Sequence, residues 1–134
     1  MTLRRHAEKT RKWAEAYGKE NGFDRDLCGM CAIAAAHLFC SLKRDGYSPV
    51  LVNANEEHIF VHVGHFLIDV TATQFGRYKK VEIRRHKHEK NQIWTYNLTF
   101  MKSVAVLKKI QKKADWPMEQ RVATVACAML EGRI

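Results

Sequence analysis

The sequence predicts a single α+β domain in which a central helix packs against a small antiparallel sheet and further helices flank this core. Residues 30–42 are apolar around the whole circumference of a helix. Residues 58–71 form two β-type runs on either side of Gly64 and His65. The chain has 134 residues, the usual length of one domain, so residues 1–134 are expected to share one core.

The composition is that of a folded protein, with 46% apolar and 28% charged residues, and it excludes a disordered chain. The first twenty residues lack the apolar core of a signal peptide, and no apolar run approaches the roughly 18 residues that span a bilayer. We therefore expect a cytoplasmic protein without a membrane partner. Lys and Arg exceed Asp and Glu by 23 to 14, and the formal charge of +9 makes an acidic partner or nucleic acid plausible.

Two helices are predicted in the first third of the chain. The first covers residues 3–19, a charged surface helix whose narrow buried stripe comprises Ala7, Trp13, Ala14 and Tyr17. Residues 18–26 are rich in Gly, Asn and Asp and break this helix. The second, central helix covers residues 30–42, is rich in Ala, and stops at residues 44–46.

The predicted β elements follow the central helix. The firmest is an antiparallel hairpin of His58–Val63 and Phe66–Thr71. A two-residue turn at Gly64 and His65 pairs residues whose numbers sum to 129, whereas a four-residue turn shifts this sum to 127. The other expected elements are a strand at 49–52, an edge strand and exposed basic loop within 77–92, a strand within 93–100, and helices at 103–113 and from Pro117 to Gly132.

Cys31 is the candidate nucleophile. It follows Gly29 at the start of the central helix, where unpaired N–H groups and the positive end of the helix dipole favour a thiolate. The same N–H groups would donate to an oxyanion formed when sulfur attacks a carbonyl carbon. On position alone, however, a buried structural thiol explains Cys31 better, because free Cys is among the most buried residue types.

Asp69 and His58 change that balance. Asp69 interrupts an apolar strand, and a buried carboxylate costs several kcal/mol unless it is paired or hydrogen-bonded. The 129 register makes His58 and Asp69 diagonal neighbours on one face, roughly 7–8 Å apart at the backbone, while the 127 register sets them directly opposite. A carboxylate that orients an imidazole, which in turn accepts a thiol proton, is the Cys–His–Asp arrangement of acyl-transfer enzymes. Taken singly, His58 also fits an edge-strand histidine, and Asp69 an anchor for Thr71 or Thr73.

The order and setting of these residues resemble the transglutaminase-like branch of the papain-like cysteine protease superfamily, in its small bacterial and phage members. Residues 26–32 (DLCGMCA) are similar to the nucleophile segment, residues 58–63 (HIFVHV) to the histidine strand, and residues 68–75 (IDVTATQF) to the aspartate strand. The similarity covers roughly residues 24 to 76. The sequence departs from papain-type enzymes at Arg25, near the usual position of an upstream Gln, and at Ala32, which replaces a frequent Trp.

The resemblance implies a cysteine hydrolase or acyltransferase with the catalytic triad Cys31, His58 and Asp69. The reaction would be that of a peptidase, an amidase or deamidase, or a transglutaminase, on a protein or peptide substrate and without a cofactor. Gly29 and Gln74 are lesser candidates for substrate or oxyanion binding, although a structural role at the strand end explains Gln74 better.

Several other interpretations remain open. Cys28 and Cys31 form a C-x-x-C pair, but a zinc site needs a second pair of ligands and a redox pair expects a preceding strand, so we expect no metal and four free thiols. The histidines at 58, 62, 65, 86 and 88 could form a metal cluster, and the basic residues between 77 and 90 could bind nucleic acid, although a solvated edge is the simpler explanation. A catalytically idle, basic protein-binding or inhibitory module on the same fold, such as a phage anti-defence protein, is the main alternative to an enzyme.

Overall fold

The computed structural model of the protein describes residues 1–54, 58–86, 98–100 and 117–133. The helices are α1 (Leu3–Glu20), α2 (Cys31–Arg44) and α3 (Pro117–Leu130), the strands are β1 (Val50–Ala54), β2 (His58–Val63), β3 (Phe66–Asp69), β4 (Glu82–Arg85) and β5 (Leu98–Phe100), and a short 3-10 helix covers Ala72–Phe75. The predicted α+β class is confirmed. None of these described helices is long and apolar enough to cross a membrane.

Thr2 caps the N-terminus of helix α1, and its hydroxyl accepts a 3.1 Å hydrogen bond from the backbone N–H of Arg5. The predicted stripe is correct for Ala7 and Ala14, which are fully buried. Helix α1 also buries three polar side chains outside the predicted stripe, His6, Thr10 and Arg11. They are buried because each finds a polar partner elsewhere in the fold.

One such partner is His37 of α2. The Thr10 hydroxyl lies 2.9 Å from Nδ1 of His37, and the Trp13 ring stacks on the imidazole at a centroid distance of 4.2 Å. Burial, with a smaller contribution from the charge of Arg44, lowers the pKa of His37 to about 4. His37 is therefore neutral at physiological pH, and it serves as a packing residue between the two helices.

Helix α2 is the centre of the fold. It contacts α1, α3, β1 and β2, and its fully buried residues include Ile33, Ala34, Leu38 and Leu42. The prediction that Cys31 opens this helix is confirmed. The helix ends at Asp45, followed by Gly46 with a φ of +90°, a conformation that favours glycine.

The sheet has the order β4-β3-β2-β1-β5, with antiparallel neighbours throughout. Val63 pairs with Phe66 and Val61 with Ile68, so the register is the one that sums to 129, and the alternative four-residue turn is wrong. Gly64 has a φ of +59°, as the first central residue of a II′ hairpin turn requires. The turn chemistry thus fixes which residues of β2 and β3 share a face.

The two faces of the sheet bury different sets of side chains. Ile59, Val61 and Val63 of β2 join the core formed with the helices, whereas Phe60 joins a second cluster with Val52 and Leu67. Alternation along the strand explains this division.

The remaining predicted elements are present where the structure describes them, but the strand predicted at 49–52 extends to Ala54 and the strand predicted at 66–71 ends at Asp69. Strand β4 is the predicted edge strand, β5 covers the end of the strand expected within 93–100, and α3 begins at Pro117 as expected. The predicted basic loop after β4 and the predicted helix at 103–113 lie outside the described residues.

Candidate active site

His58 and Asp69 form a buried pair at the end of the β2–β3 hairpin. His58 is the first residue of β2 and Asp69 the last of β3, and the Nε2–H of the imidazole donates to Oδ2 of the carboxylate over 2.6 Å. The two residues are only 3% and 1% exposed. The diagonal relation predicted from the register therefore brings the two side chains into direct contact.

The second oxygen of Asp69 is also occupied. Oδ1 accepts from the backbone N–H of Thr71 at 2.8 Å and from its hydroxyl at 3.2 Å. The carboxylate is consequently held from both sides, and its orientation toward His58 is fixed. Asp69 thus combines the two roles that the sequence left open, a local anchor for Thr71 and the partner of a histidine.

Aromatic rings pack against the other sides of His58. Phe60 stacks on the imidazole at a centroid distance of 5.6 Å, and Phe75 meets it edge-on at 4.7 Å. Phe75 is itself 51% exposed, so it covers the imidazole on the solvent side. These contacts restrict rotation of the ring and exclude water from it.

Cys31 acts on the same imidazole. Burial alone lowers the pKa of His58, but the charge and hydrogen bond of Asp69 outweigh it, and the Cys31 thiolate adds its own hydrogen bond and charge in the same direction. Together they raise the pKa of His58 to about 10. Nε2 of His58 faces Asp69, and the other ring nitrogen, Nδ1, is also buried.

The segment before Cys31 is a tight turn that presents the residue at the start of α2. The N–H of Met30 donates to the carbonyl of Leu27 over 3.0 Å, and Gly29, the third residue of this turn, has a φ of +87°. Oδ1 of Asp24 accepts from the backbone N–H of Cys28 at 3.2 Å. Gly29 therefore shapes the turn through its backbone, because a residue with a side chain would be strained at this positive φ.

The N-terminus of α2 keeps its positive character. Within the described residues no side chain makes a capping hydrogen bond at Met30, and the first turn carries no acidic residue. The half-buried thiol of Cys31 thus lies beside the first backbone N–H groups of α2, at the positive end of the helix dipole.

Gln74 lies in the 3-10 helix that follows Asp69. Its side-chain amide donates to the carbonyl of Thr71 at 3.0 Å and to the Thr71 hydroxyl at 3.2 Å. These contacts match the structural role preferred from the sequence, since they stabilise the residue that holds Asp69.

The four cysteines differ in their exposure to solvent. None of the four forms a disulfide bond: Cys28 is exposed, Cys31 and Cys40 are half-buried, and Cys127 is buried. His62 contacts His86 with ring centroids 5.3 Å apart. Across the described residues, however, no three His, Cys, Asp or Glu side chains are grouped so that they could hold a metal ion.

Sequence reasoning missed Arg11 and Thr73. Arg11 of α1 is 3% exposed, and its guanidinium donates to the Thr73 hydroxyl over 2.9 Å. A signal was present: residues 7, 11, 14 and 18 share one helix face, and the other three are Ala, Ala and Gly. A charged residue on a helix face whose other residues are small indicates that the charge has a specific hydrogen-bond partner in the fold.

A cavity of about 640 Å³ adjoins the turn that carries the nucleophile. Its walls come from α1, from residues 23–27 and from Thr73 and Lys80. Cys31, His58 and Asp69 are not among the residues that line this cavity. The candidate active site is therefore identified by the contacts among its side chains and not by the cavity.

Comparison with protein-family models, with curated proteins and with solved structures finds no match to this chain.

Proposed function

We propose that this protein is a cysteine-dependent acyl-transfer enzyme with Cys31, His58 and Asp69 as its triad, on a papain-like or transglutaminase-like core. The observation that carries the proposal is the buried 2.6 Å contact between His58 and Asp69, made by an imidazole on which the Cys31 thiolate also acts. The substrate class is an amide or ester carbonyl, as in a protein or peptide.

Stability alone does not account for this arrangement. Replacing a buried ion pair with apolar side chains of similar size is often neutral or stabilising, because both charges must be removed from water. Here the pair adjoins a thiol at a helix N-terminus. An imidazole held by a carboxylate and hydrogen-bonded to a thiol is the combination that nucleophilic catalysis requires.

The proposed reaction starts from the nucleophilic thiolate form of Cys31, facing the imidazolium of His58. With a pKa of about 10, His58 carries its proton at neutral pH, and Asp69 stabilises that charge. The thiolate attacks the carbonyl carbon and forms a C–S bond. The imidazolium then gives its proton to the leaving amine or alkoxide as the C–N or C–O bond breaks, which leaves a thioester and neutral His58.

The second half of the reaction regenerates the site. Neutral His58 accepts a proton from water or an amine as its oxygen or nitrogen attacks the thioester carbon. The C–S bond breaks and the thiolate returns beside the imidazolium. In this mechanism, backbone N–H groups of the first turn of α2 donate to the oxyanion in both halves.

Selective alkylation tests the nucleophile. We expect iodoacetamide at low excess and near neutral pH to modify one cysteine, located at Cys31 by peptide mass analysis, because the imidazolium favours its thiolate. The matched control is Cys28→Ala, which removes the exposed thiol three residues away and should leave the rate unchanged. Equal reactivity of Cys28 and Cys31 in the native protein would contradict the proposal.

Trapping of an intermediate tests the chemistry. Incubation with an activated acyl ester should add one acyl group to the intact mass, and Cys31→Ala should prevent the addition. Hydroxylamine should release the group faster than water does, because it cleaves thioesters readily, and this release identifies the adduct as a thioester. If the native chain and Cys31→Ala gain the same adduct, Cys31 is not the acceptor.

One observation favours the idle, basic binding module as the second candidate. The segment leading into the edge strand β4 exposes Arg77, Lys79 and Lys80, and β4 itself exposes Arg85. Such a patch suits an acidic protein partner or nucleic acid. Binding that survives Cys31→Ala and weakens steeply with added salt would favour this candidate.

A further inference from the structure

Arg11 joins three parts of the chain through one buried guanidinium. Nη1 donates to the carbonyl of Val70 and to the hydroxyl of Thr73, each over 2.9 Å, and Nη2 donates to the carbonyl of Arg25 over 3.2 Å. Nε donates to Glu15 in the next turn of α1 over 2.9 Å. Each nitrogen of the guanidinium therefore donates at least one hydrogen bond, as a buried charge requires.

Two of the residues that accept hydrogen bonds from Arg11 lie close in sequence to members of the candidate triad. Val70 follows Asp69 directly, and Arg25 belongs to the loop that leads to Cys31. The Thr73 hydroxyl extends the link, because it also donates to the carbonyl of Asp26 over 3.2 Å. Arg11 and Thr73 thus hold the loop that carries the nucleophile against the chain that carries the carboxylate.

We propose that Arg11 is a positioning residue that fixes the separation between Cys31 and the His58–Asp69 pair. This inference rests on the proposed function, because a fixed separation matters only if sulfur and imidazole exchange a proton. The planar fork of arginine suits the task, because it donates in several fixed directions that a lysine ammonium does not reproduce. Reactions of this kind lose about a hundredfold in rate when a group moves by about 1 Å.

Two variants test the role of the link. Arg11→Lys keeps the charge but loses the fork, and Thr73→Val keeps the shape but loses the hydroxyl. We expect each to slow alkylation of Cys31 by about ten- to a hundredfold, while alkylation of the exposed Cys28 stays unchanged as an internal standard. Thr73→Ser should restore the rate, and Glu15→Gln, which alters the solvent-side contacts of Glu15 with Arg11 and Lys80, should leave it unchanged.

A second readout separates this inference from the proposed function. In the native background, Cys31→Ala should shift the nuclear magnetic resonance signals of the His58 ring, because the thiolate contributes to the pKa of that imidazole. In the Arg11→Lys background the same substitution should shift them much less. Thr73→Val gives the same comparison if Arg11→Lys does not fold.

The outcomes are distinct. A loss of thermal stability with an unchanged alkylation rate and an unchanged His58 response would overturn the inference and leave Arg11 a structural residue. If native Cys31 reacts no faster than Cys28, the proposed function fails. In that case the His58 response alone decides whether Arg11 holds the two groups together.

Discussion

Replacement of Asp69 with asparagine should change how the stability of the protein depends on pH. The pKa of His58 rises from 6.5 to about 10 in the folded protein. Each pKa unit is worth about 1.4 kcal/mol, so the proton on His58 contributes on the order of 5 kcal/mol to folding. Because the folded pKa lies above the unfolded one, this contribution is complete below pH 6.5 and is lost as the pH rises to about 10.

In Asp69→Asn the main cause of the raised pKa is gone, and burial then lowers the pKa of His58. We therefore expect the native protein to exceed the variant by several kcal/mol in free energy of unfolding at pH 6, and the difference to shrink steadily toward pH 10. Other titrating groups contribute to both proteins alike, so the difference isolates the pair.

Urea unfolding followed by circular dichroism at several pH values measures this difference, and titration of the His58 ring by nuclear magnetic resonance checks its cause. A domain of this size is stable by about 5–15 kcal/mol, so a variant that unfolds at pH 6 but folds at pH 9 would have the expected sign. Parallel stability curves between pH 6.5 and 10 would refute the reasoning.

Three further predictions concern single residues. Thr71→Val removes the hydroxyl donor to Asp69 and should lower the free energy of unfolding by about 1–3 kcal/mol, with Thr71→Ser as the control in a urea titration. Gly29→Ala forces a side chain into a φ of +87°, so we expect a loss of about 1 kcal/mol and slower alkylation of Cys31; an unchanged rate would show that the turn does not set the position of the thiol. His37 has its pKa lowered by burial to about 4, so stability should fall as the pH drops from 6.5 toward 4, and His37→Gln should flatten that fall in a thermal melt.

The sequence predicts the hairpin and its buried pair because both depend on local rules. A Gly-His turn between two β-type runs sets the register, and the register sets which side chains share a face. The same rules place Asp69 within reach of His58 without knowledge of any other part of the fold. Cys31 at the start of α2 follows in the same way from the apolar run that it opens.

The polar interior of α1 was not predictable in the same way. A helix rich in Lys, Arg and Glu indicates a surface helix, yet Arg11 is buried because Val70, Thr73 and Arg25 supply acceptors from distant parts of the chain. Long-range pairings of this kind leave only the faint signal of one charge among small residues on a helix face. The pairing of β5 with β1 is equally non-local and was not foreseen.

The position of two triad residues on one hairpin bears on how the site assembles during folding. His58 and Asp69 are 11 residues apart, so the loop that closes when they meet is short and its entropic cost small. The thiol belongs to α2, which precedes β1 in the chain, so it reaches the pair only when this helix docks on the sheet. We therefore expect the contact between His58 and Asp69 to form early in folding. Cys31 should join them only at the last stage of collapse.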